Sequence, residues 1–547
     1  MAKYRLLILI LITAGLFRFW GLTKSPPALN WDEVSIGVNA YSILKTGRDE
    51  WGQFLPLSFR AYGESKLPGM IYASIPGVAI FGLNEFGVRI TPALIGILAV
   101  YALYLLGSQL ISINFGLAAA ALLSISPWHV HLSRASFEAG LGLLFVELSL
   151  YYFLRFATHR RSLVYCALFA ILALYSYNSV RIFLPLLYAI LLWRQRQLLF
   201  RSSSLVIKLG IISFVLLLPI FISFRDSSTL VRWNTLNTLH NEGFLMAIGE
   251  SRRYTPLPDP LPRLIHNKYT HLSYKFFLDY LHTFSSEFLF FKGSTQTQRS
   301  AQGMGLLYFF EFPLLIIGLL ELKNKRYVSL RSLLIPWIIL APIPSAITID
   351  APSSLRTLNL LPPLLLIESL GLLLAMSWFA TRANLLKVIV GLFVIWNIGL
   401  FVYRLLGAYP IKYSGDWQWG YKQMIQEVTK YQDQVDKIYI TSDYGEPQMY
   451  LLFYGGKDLL PKYQNPLLVD KTTDPLGWVH VLRFDKFNFI DFEGTEVAES
   501  IIRDNFGKKI LLVTGFAQLS GKHPRLFEIQ APSMQVMFEG AIIEAQP

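Results

Sequence analysis

Two adjacent carboxylates, Asp32 and Glu33, follow the first apolar segment of the chain by about a dozen residues. They close the sequence Ser25-Pro-Pro-Ala-Leu-Asn-Trp-Asp-Glu, and a short amphipathic stretch, Val34 to Leu44, comes next. A carboxylate held at a bilayer surface is well placed to accept a proton from a group that attacks a lipid-borne substrate. Alternatively, Asp32 caps the helix that follows, which aspartate does well. A motif of two residues leaves both roles open.

A lysine lies in the same stretch between apolar segments. Lys66 belongs to the sequence Ala61-Tyr-Gly-Glu-Ser-Lys-Leu-Pro-Gly and precedes an apolar stretch that begins with Leu-Pro. A lysine in this position can reach a lipid phosphate as a point charge. The alternative is a lysine whose apolar stem lies along the membrane while its ammonium group reaches water.

The segment Ser126-Pro-Trp-His-Val-His-Leu-Ser-Arg-Ala-Ser-Phe-Glu contains further candidates. Arg134 and Glu138 are four residues apart, so on one helix they share a face and can pair. In a functional role, Glu138 supplies a second acidic group to the site. His129 and His131, together with the Asp–Glu pair, are possible ligands of a divalent cation. No helical HxxxH or HExxH spacing supports such a site, so no metal ligand is assigned.

Two arginines lie among polar residues at predicted helix ends. Arg181 ends the sequence Tyr175-Ser-Tyr-Asn-Ser-Val-Arg, and Arg356 ends Ala351-Pro-Ser-Ser-Leu-Arg. Arginine can hold a phosphate through two parallel hydrogen bonds, although either residue can equally be an interfacial anchor. Glu147 and Glu368 lie inside apolar segments, where an ionisable residue indicates function by default. Glu147 is distant from the outer face, which favours a role in helix–helix contact.

The composition indicates that all these residues belong to a membrane protein. The chain has 547 residues, of which 53% are hydrophobic and 16% charged, with a mean hydropathy of +0.43. Soluble domains carry about 25% charged residues. The net charge of +13 is explained by Lys and Arg in cytoplasmic loops, so nucleic acid is not an expected partner. The single cysteine, Cys166, cannot form an internal disulfide and gives no metal motif.

Apolar segments of suitable length predict about eleven membrane spans. Basic residues concentrate in alternate loops, which places the N-terminus in the cytoplasm and the residues after the last span outside. The first segment carries Lys3 and Arg5 but lacks a small-x-small cleavage site, so we expect an uncleaved span. The predicted spans are 4–20, 87–110, 114–127, 137–156, 162–178, 181–194, 205–224, 305–321, 331–349, 356–379 and 385–406.

The composition changes at about residue 407. Two long outer loops, 21–86 and 225–304, precede this point, and the first contains two apolar stretches, Val34–Leu44 and Leu67–Phe81, that favour interfacial helices. Strand-like runs then alternate with a helical segment, Tyr421–Tyr431. The runs are Lys437–Thr441, Val479–Phe484 and Lys508–Thr514. We therefore predict an all-α polytopic membrane domain, 1–406, with interfacial helices, and a small extracytoplasmic α/β domain, 407–547.

Four motifs resemble a known group of membrane enzymes. They are Pro27-Ala-Leu-Asn-Trp-Asp-Glu, Gly47-Arg-Asp-Glu-Trp-Gly, Glu64-Ser-Lys-Leu-Pro and Gly87-Val-Arg-Ile-Thr-Pro. The Ser133-Arg134 loop and the stretch from Arg356 to Pro363 are softer matches. Over about 410 residues the chain resembles the C-class glycosyltransferases of the protein O-mannosyltransferase and lipid A aminoarabinose transferase superfamily.

The resemblance implies a reaction and roles for the residues. Members of this superfamily transfer one sugar from a polyprenyl-phosphate carrier to an acceptor outside the cytoplasm. The resemblance thus implies an integral, multi-pass protein of the plasma (inner) membrane. The family pattern implies that Asp32 is the general base, that Glu33 supports it, and that Lys66 contacts the donor phosphate. Arg134, Arg181 and Arg356 are further candidates for the donor phosphate. An inverting single displacement follows by analogy, and a retaining mechanism would need Glu33 or Glu138 as nucleophile.

Some features depart from the pattern or leave alternatives. Relatives usually have Asp where this chain has Glu138, often one residue further from the arginine, so the role of Glu138 is open. The expected partners are a polyprenyl-phosphate sugar, membrane lipids, and a protein, lipid or glycan acceptor. The competing function is a transporter or lipid-sugar flippase, which would need polar groups along a path through the midplane. The candidate polar groups cluster at the outer face instead.

Overall fold

The computed structural model describes residues 1–62, 64–223, 242–475, 477–521 and 523–544, and the start of the predicted outer loop 225–304 therefore lies outside the described residues. The chain divides into two compact units. The first unit contains Met1–Trp20 and Pro92–Arg404, and the second contains Gly21–Thr91 and Leu405–Pro547. The predicted domain boundary at residue 406 stays a prediction.

The first unit is built from helices. Helix Glu85–Leu110 contains the boundary at Pro92 and continues into this unit. The remaining helices are Ala2–Phe19, Ile113–Ile125, Pro127–Leu132, Glu138–Arg155, Ser162–Leu174, Asn178–Arg194, Arg196–Phe200, Ser203–Ser223, Glu242–Arg253, Leu261–Ile265, Lys268–His282, Glu311–Leu322, Val328–Leu340, Ile343–Ala346, Leu361–Ala380 and Asn384–Val402.

Five helical segments are long and apolar enough to cross a membrane in the described part of the chain: Glu85–Leu110, Ser203–Ser223, Lys325–Ala346, Leu358–Ala380 and Asn384–Lys412. Every predicted span contains a helix, yet several are too short or too charged to be identified as spans by length and composition. Helix Glu138–Arg155, for example, carries Glu147 as well as both charged terminal residues. The chain is thus a multi-pass membrane protein, and the count of eleven spans stays a prediction.

Small residues let the helices of the first unit approach closely. A Cβ atom on Gly318 would lie 2.0 Å from the Ile367 carbonyl oxygen, and one on Gly371 would lie 2.0 Å from that of Leu314. Helices Glu311–Leu322 and Leu361–Ala380 therefore touch through their backbones, as helices in membranes often do.

The second unit combines helices with two sheets. Between helices Trp31–Thr46 and Pro68–Phe81, the chain forms a hairpin of the two antiparallel strands β1, Phe59–Ala61, and β2, Glu64–Lys66. A seven-stranded sheet follows, with the strands β3 Lys437–Thr441, β4 Val469–Thr473, β5 Val479–Phe484, β6 Phe487–Ile490, β7 Lys509–Thr514, β8 Phe527–Gln530 and β9 Val536–Glu544. Their order in the sheet is β4-β5-β6-β3-β7-β9-β8. The α-helices of this region are Tyr409–Lys412, Tyr421–Tyr431, Pro447–Tyr454, Leu459–Tyr463 and Thr495–Asp504.

The three central strands of this sheet, β6, β3 and β7, are parallel. Their inward residues, such as Ile510 and Leu512, are fully buried, and Ile501 of helix Thr495–Asp504 packs in the same cluster. The predicted strands Lys437–Thr441 and Val479–Phe484 and the predicted helix Tyr421–Tyr431 are confirmed with their bounds, and the third strand begins one residue later than predicted.

Candidate functional site

Helix Trp31–Thr46 begins with a cap that is formed by Asn30 and not by Asp32. Asn30 is the N-cap residue: its side chain accepts a hydrogen bond from the Glu33 backbone N–H, and the Glu33 side chain accepts one from the Asn30 N–H. This reciprocal pair satisfies two backbone donors at the start of the helix. The alternative that Asp32 is the helix cap is therefore wrong, because Asn30 performs that role.

Asp32 instead pairs with Lys66. The Lys66 ammonium group lies 2.6 Å from Asp32 Oδ1, and the two side chains are 2% and 45% exposed. The lysine also lies 5.4 Å from the centre of the Tyr62 ring. The hairpin thus holds a buried cation against a carboxylate that is partly exposed to solvent. The structure thus brings Asp32 and Lys66 into direct contact, and their roles in a reaction stay predictions.

Glu33 binds a buried arginine with both carboxylate oxygens. Arg89 Nε lies 3.0 Å from Oε1 and Nη2 lies 2.8 Å from Oε2, and both side chains are buried. Arg89 also donates to the carbonyl oxygens of Leu22, Pro26 and Ala28. This arginine therefore ties the loop before helix Trp31–Thr46 to the helix itself and fixes the direction of Asp32.

Two residues with unusual backbone angles hold Trp31, the neighbour of Asp32. Tyr62, with φ of 53°, donates its hydroxyl hydrogen to the Trp31 carbonyl oxygen at 2.8 Å. Gln418, with φ of 51°, accepts from the Trp31 N–H through its side-chain oxygen at 3.1 Å. Strained backbone of this kind is often found where a functional group must be held in place.

Glu50 is another buried acid in this unit. Its side chain is 2% exposed, and its Oε2 atom has no hydrogen-bond partner among the described residues. Burial is the main reason that the pKa of Glu50 rises to about 8, while the nearby Lys66 charge acts in the opposite direction. Glu50 therefore carries a proton at neutral pH.

The first unit contains a cluster of two arginines around one carboxylate. Asp350 accepts from Arg299 at 2.7 Å and from Arg356, and Gln296 donates to it at 2.8 Å. Burial alone would raise the pKa of Asp350, but the two guanidinium groups lower it to about 2. Burial, followed by the Arg356 charge, lowers the pKa of Arg299. The cluster carries one excess positive charge and can hold an anion.

Comparisons with known proteins agree with the fold. The sequence model of the family "Dolichyl-phosphate-mannose-protein mannosyltransferase" matches residues 68–222. The structure of ArnT from Cupriavidus metallidurans bound to undecaprenyl phosphate aligns with 12% identity and a TM-score of 0.51, over 99% of this chain and 98% of that chain. Its apo form aligns with 13% identity and a TM-score of 0.54 over the same shares.

A second enzyme is similar in fold. The Archaeoglobus fulgidus oligosaccharyltransferase tethered with an acceptor peptide aligns with 14% identity and a TM-score of 0.51, over 98% of this chain and 74% of that chain. No curated protein sequence is significantly similar to the chain. The family model matches less than half of the chain and supports the resemblance to the C-class glycosyltransferases, and the solved structures show a shared fold.

Three other predicted site residues lie in the first unit. Arg134 is buried and donates to the Phe17 and Arg18 carbonyl oxygens at 2.8 and 3.3 Å, so it closes the end of the first helix. Arg181 donates to the Leu174 carbonyl oxygen at 3.0 Å. Glu138 is half-buried and opens helix Glu138–Arg155. Because Arg134 lies in the preceding turn, it does not share a helix with Glu138.

The two histidines considered as metal ligands are buried. His129 Nδ1 lies 2.7 Å from the Arg18 guanidinium group, and His131 Nε2 lies 3.0 Å from the Gln298 carbonyl oxygen. Burial lowers the pKa of His131 to about 4, so the ring is neutral at physiological pH. Among the described residues, no group of three or more His, Cys, Asp or Glu side chains is arranged to hold a metal ion.

Sequence reasoning did not assign roles to Arg89, Arg299 and Glu50. Arg89 and Glu50 lie inside motifs on which the resemblance is based. Their presence in these motifs could be read from the sequence, but the residues that they contact could not. Arg299 lies in the second long outer loop and pairs with Asp350, which is 51 residues away along the chain. Such a long-range pair leaves no local pattern in the sequence.

Proposed function

We propose that the protein transfers a single sugar from a polyprenyl-phosphate donor to an acceptor hydroxyl group at the outer face of the membrane, with Asp32 as general base. The observation that carries this proposal is the ion pair between exposed Asp32 and buried Lys66. Attack on an anomeric carbon requires removal of the acceptor proton as the new bond forms. Asp32 is accessible for this step, and Arg89 and the Trp31 contacts fix its orientation.

We propose that Lys66 contacts the donor phosphate. An ammonium group has three hydrogen-bond donors, so Lys66 can keep its contact with Asp32 while it contacts a phosphate oxygen. A cation at this point stabilises the negative charge that develops on the leaving phosphate. ArnT bound to undecaprenyl phosphate, which has a similar fold, supports a donor of this chemical class.

Within the first unit, Arg356 is the predicted arginine that is best suited to bind an anion such as a phosphate. Arg299 and Arg356 both bind the carboxylate of Asp350. The cluster therefore has one excess positive charge, which suits a phosphate. For Arg134 we propose a structural role, because it donates to the carbonyl oxygens at the end of the first helix. For Arg181 the donor contact stays a prediction.

An inverting single displacement is the mechanism that the geometry supports best. A retaining mechanism needs a second carboxylate as nucleophile. Glu33 is unsuited to this role, because Arg89 engages both of its oxygens and the side chain is buried. The proton moves from the acceptor hydroxyl group to Asp32, the acceptor oxygen bonds to the anomeric carbon, and the phosphate leaves with the bonding electron pair. The anomeric configuration of the product, read by NMR, tests this step.

The first experiment measures transfer of labelled sugar from a panel of polyprenyl-phosphate sugars to membrane extracts. We expect transfer by the wild type and a loss of at least 100-fold in Asp32→Asn, the range by which general bases contribute. Asp470→Asn is the matched control, because Asp470 also forms an ion pair, with Arg483, but both side chains are exposed. Transfer that survives in Asp32→Asn would exclude Asp32 as the base.

The competing function is translocation of a lipid-linked sugar. One observation favours it: Glu147, Glu311 and Glu368 are fully buried within apolar helices. Ionisable groups at such positions often mark transport paths. Movement of a labelled polyprenyl-phosphate sugar between the leaflets of vesicles, without transfer to any acceptor, would support this function over the first.

A further inference from the structure

A cleft of about 620 Å³ opens in the second unit, and neither Asp32 nor Lys66 belongs to its lining. Its walls come from the loop 23–29, from residues 84–86, and from the segment 418–426 that leads into helix Tyr421–Tyr431. The lining is completed by Tyr450 and Tyr454 and by Pro410, Ile411 and Pro532. The size suits a ligand of a few hundred daltons. None of the predicted roles accounts for this cleft.

The backbone of the cleft presents Trp419 through an unusual turn. Gln418 and Gly420, on either side of the tryptophan, have φ angles of 51° and 102°. Both values lie in the left-handed region, which costs free energy for a residue with a side chain such as Gln418. The Trp419 side chain is only half-buried and lines the cleft. The turn therefore places a large aromatic surface where a ligand can contact it.

Side-chain amides form one part of the polar lining. Gln423, Gln426, Gln418 and Asn84 all line the cleft. Each amide group offers both hydrogen-bond donors and acceptors. A ligand with many hydroxyl groups needs this mixture, because every hydroxyl group both donates and accepts.

The charges of the lining largely compensate each other. Lys422 lies 2.8 Å from Glu85, and the Tyr454 hydroxyl group donates to the same carboxylate oxygen at 3.1 Å. Lys24 adds one further positive charge at the exposed rim. Strong phosphate binding generally uses several charged hydrogen-bond donors, and Lys24 is a single cation outside the ion pair. Aromatic surface, amides and paired charges together match a neutral saccharide.

The cleft is connected to the proposed base by one side chain. Gln418 lines the cleft, and its side-chain oxygen accepts from the Trp31 N–H at 3.1 Å and lies 3.2 Å from the Tyr450 hydroxyl group. Trp31 precedes Asp32 directly. A ligand that contacts Gln418 therefore acts on the backbone that positions Asp32.

We propose that this cleft binds a neutral saccharide segment of the acceptor, with Trp419 stacking on a sugar ring and Gln423 and Gln426 bonding its hydroxyl groups. Only the identification of this saccharide as the acceptor rests on the proposed function. Binding of a saccharide to the cleft can be measured without turnover.

The test measures binding of neutral oligosaccharides of two to six hexose units to the full-length protein in detergent, by calorimetry. We expect a Kd at least ten-fold weaker in Trp419→Ala and several-fold weaker in the double variant Gln423→Ala/Gln426→Ala. Gln434→Ala is the matched control, since Gln434 is exposed and lies outside the cleft, and its affinity should equal that of the wild type. The double variant keeps the test valid if Trp419→Ala does not fold.

Asp32→Asn separates this inference from the proposed function. It should bind the oligosaccharides as the wild type does, whatever its transfer activity. In the transfer assay, the two cleft variants should raise the KM for a saccharide acceptor and leave the KM for the donor unchanged. No binding to the wild type, equal binding by the cleft variants, or binding of phosphorylated saccharides alone would each overturn the proposal.

Discussion

At the scale of single residues, the proposed chemistry depends on unequal exposure within one ion pair. Lys66 is 2% exposed and Asp32 is 45% exposed, so the surrounding protein fixes the cation while the carboxylate stays accessible. An exposed pair held by two flexible side chains would contribute little. Here the lysine is immobilised by burial, and the helix that carries Asp32 is fixed by Arg89. The aspartate thus keeps one orientation before any substrate binds.

Glu50 gives a prediction for the pH dependence of stability. Burial is the main cause that raises its pKa from 4.5 to about 8, Asp49 and Glu446 raise it further, and Asn39 and Lys66 lower it. Between these two pH values the unfolded chain has released the Glu50 proton and the folded chain has kept it. Unfolding then releases a proton, so the Glu50 contribution to stability falls as the pH rises from about 5 to about 8.

Glu50→Gln should remove this dependence. We expect the variant to gain thermal stability relative to the wild type as the pH rises, by up to a few kcal/mol since each pKa unit corresponds to about 1.4 kcal/mol. Apparent Tm values of detergent-purified protein at about pH 5, 6.5 and 8 measure the effect, with Asp470→Asn as control. A constant difference between the wild type and Glu50→Gln across this range would contradict the prediction.

At the scale of elements, the glycine contact between helices Glu311–Leu322 and Leu361–Ala380 gives a second prediction. The 2.0 Å distance from a Cβ on Gly318 to the Ile367 carbonyl oxygen leaves no room for a methyl group, because the obstacle is backbone. Gly318→Ala should separate the helices and cost about 1–3 kcal/mol, as overpacking does. A lower apparent Tm measures this loss.

Gly391 provides the matched control. It lies in another apolar helix, Asn384–Val402, and a Cβ there would meet nothing within 4 Å. Because alanine favours a helix more than glycine does, Gly391→Ala should be neutral or slightly stabilising. If both alanine variants changed the Tm equally, the close contact at Gly318 would not be the cause.

The elements show how far the sequence alone could lead. Strand β3 and helix Tyr421–Tyr431 were predicted with their bounds, because alternating and helical patterns are local properties of the chain. The motif around Asp32 is likewise local, and Asp32 lies in the first turn of helix Trp31–Thr46. The Glu33–Arg89 contact joins residues 56 positions apart, and the Tyr450–Leu29 contact joins residues 421 positions apart. No local pattern encodes such contacts, and for the same reason the cleft beside Trp419 was not predicted.

At the scale of the whole molecule, the two units combine segments that are distant in the sequence. The second unit joins residues 21–91 to residues 405–547, whereas the sequence had suggested a loop and a separate terminal domain. Its polar candidate residues, Asp32, Lys66 and Glu50, all lie in the earlier of these two segments. The later segment supplies Gln418 and Tyr450, which hold the backbone beside Asp32. A deletion of the later segment should therefore remove contacts on which the site depends.

The orientation in the membrane is the last prediction, and it follows from charge. Lys323, Lys325 and Arg326 form an exposed basic group between two apolar helices, which the positive-inside rule places in the cytoplasm. The same count places residues after about 407 outside. Cys166→Ser gives a chain without cysteine, into which Lys325→Cys or Arg503→Cys introduces one exposed thiol. A membrane-impermeant maleimide should label the second variant in intact cells and the first only after lysis, because the bilayer blocks access to cytoplasmic loops. Labelling of Lys325→Cys in intact cells would reverse the orientation and place the proposed reaction on the opposite face.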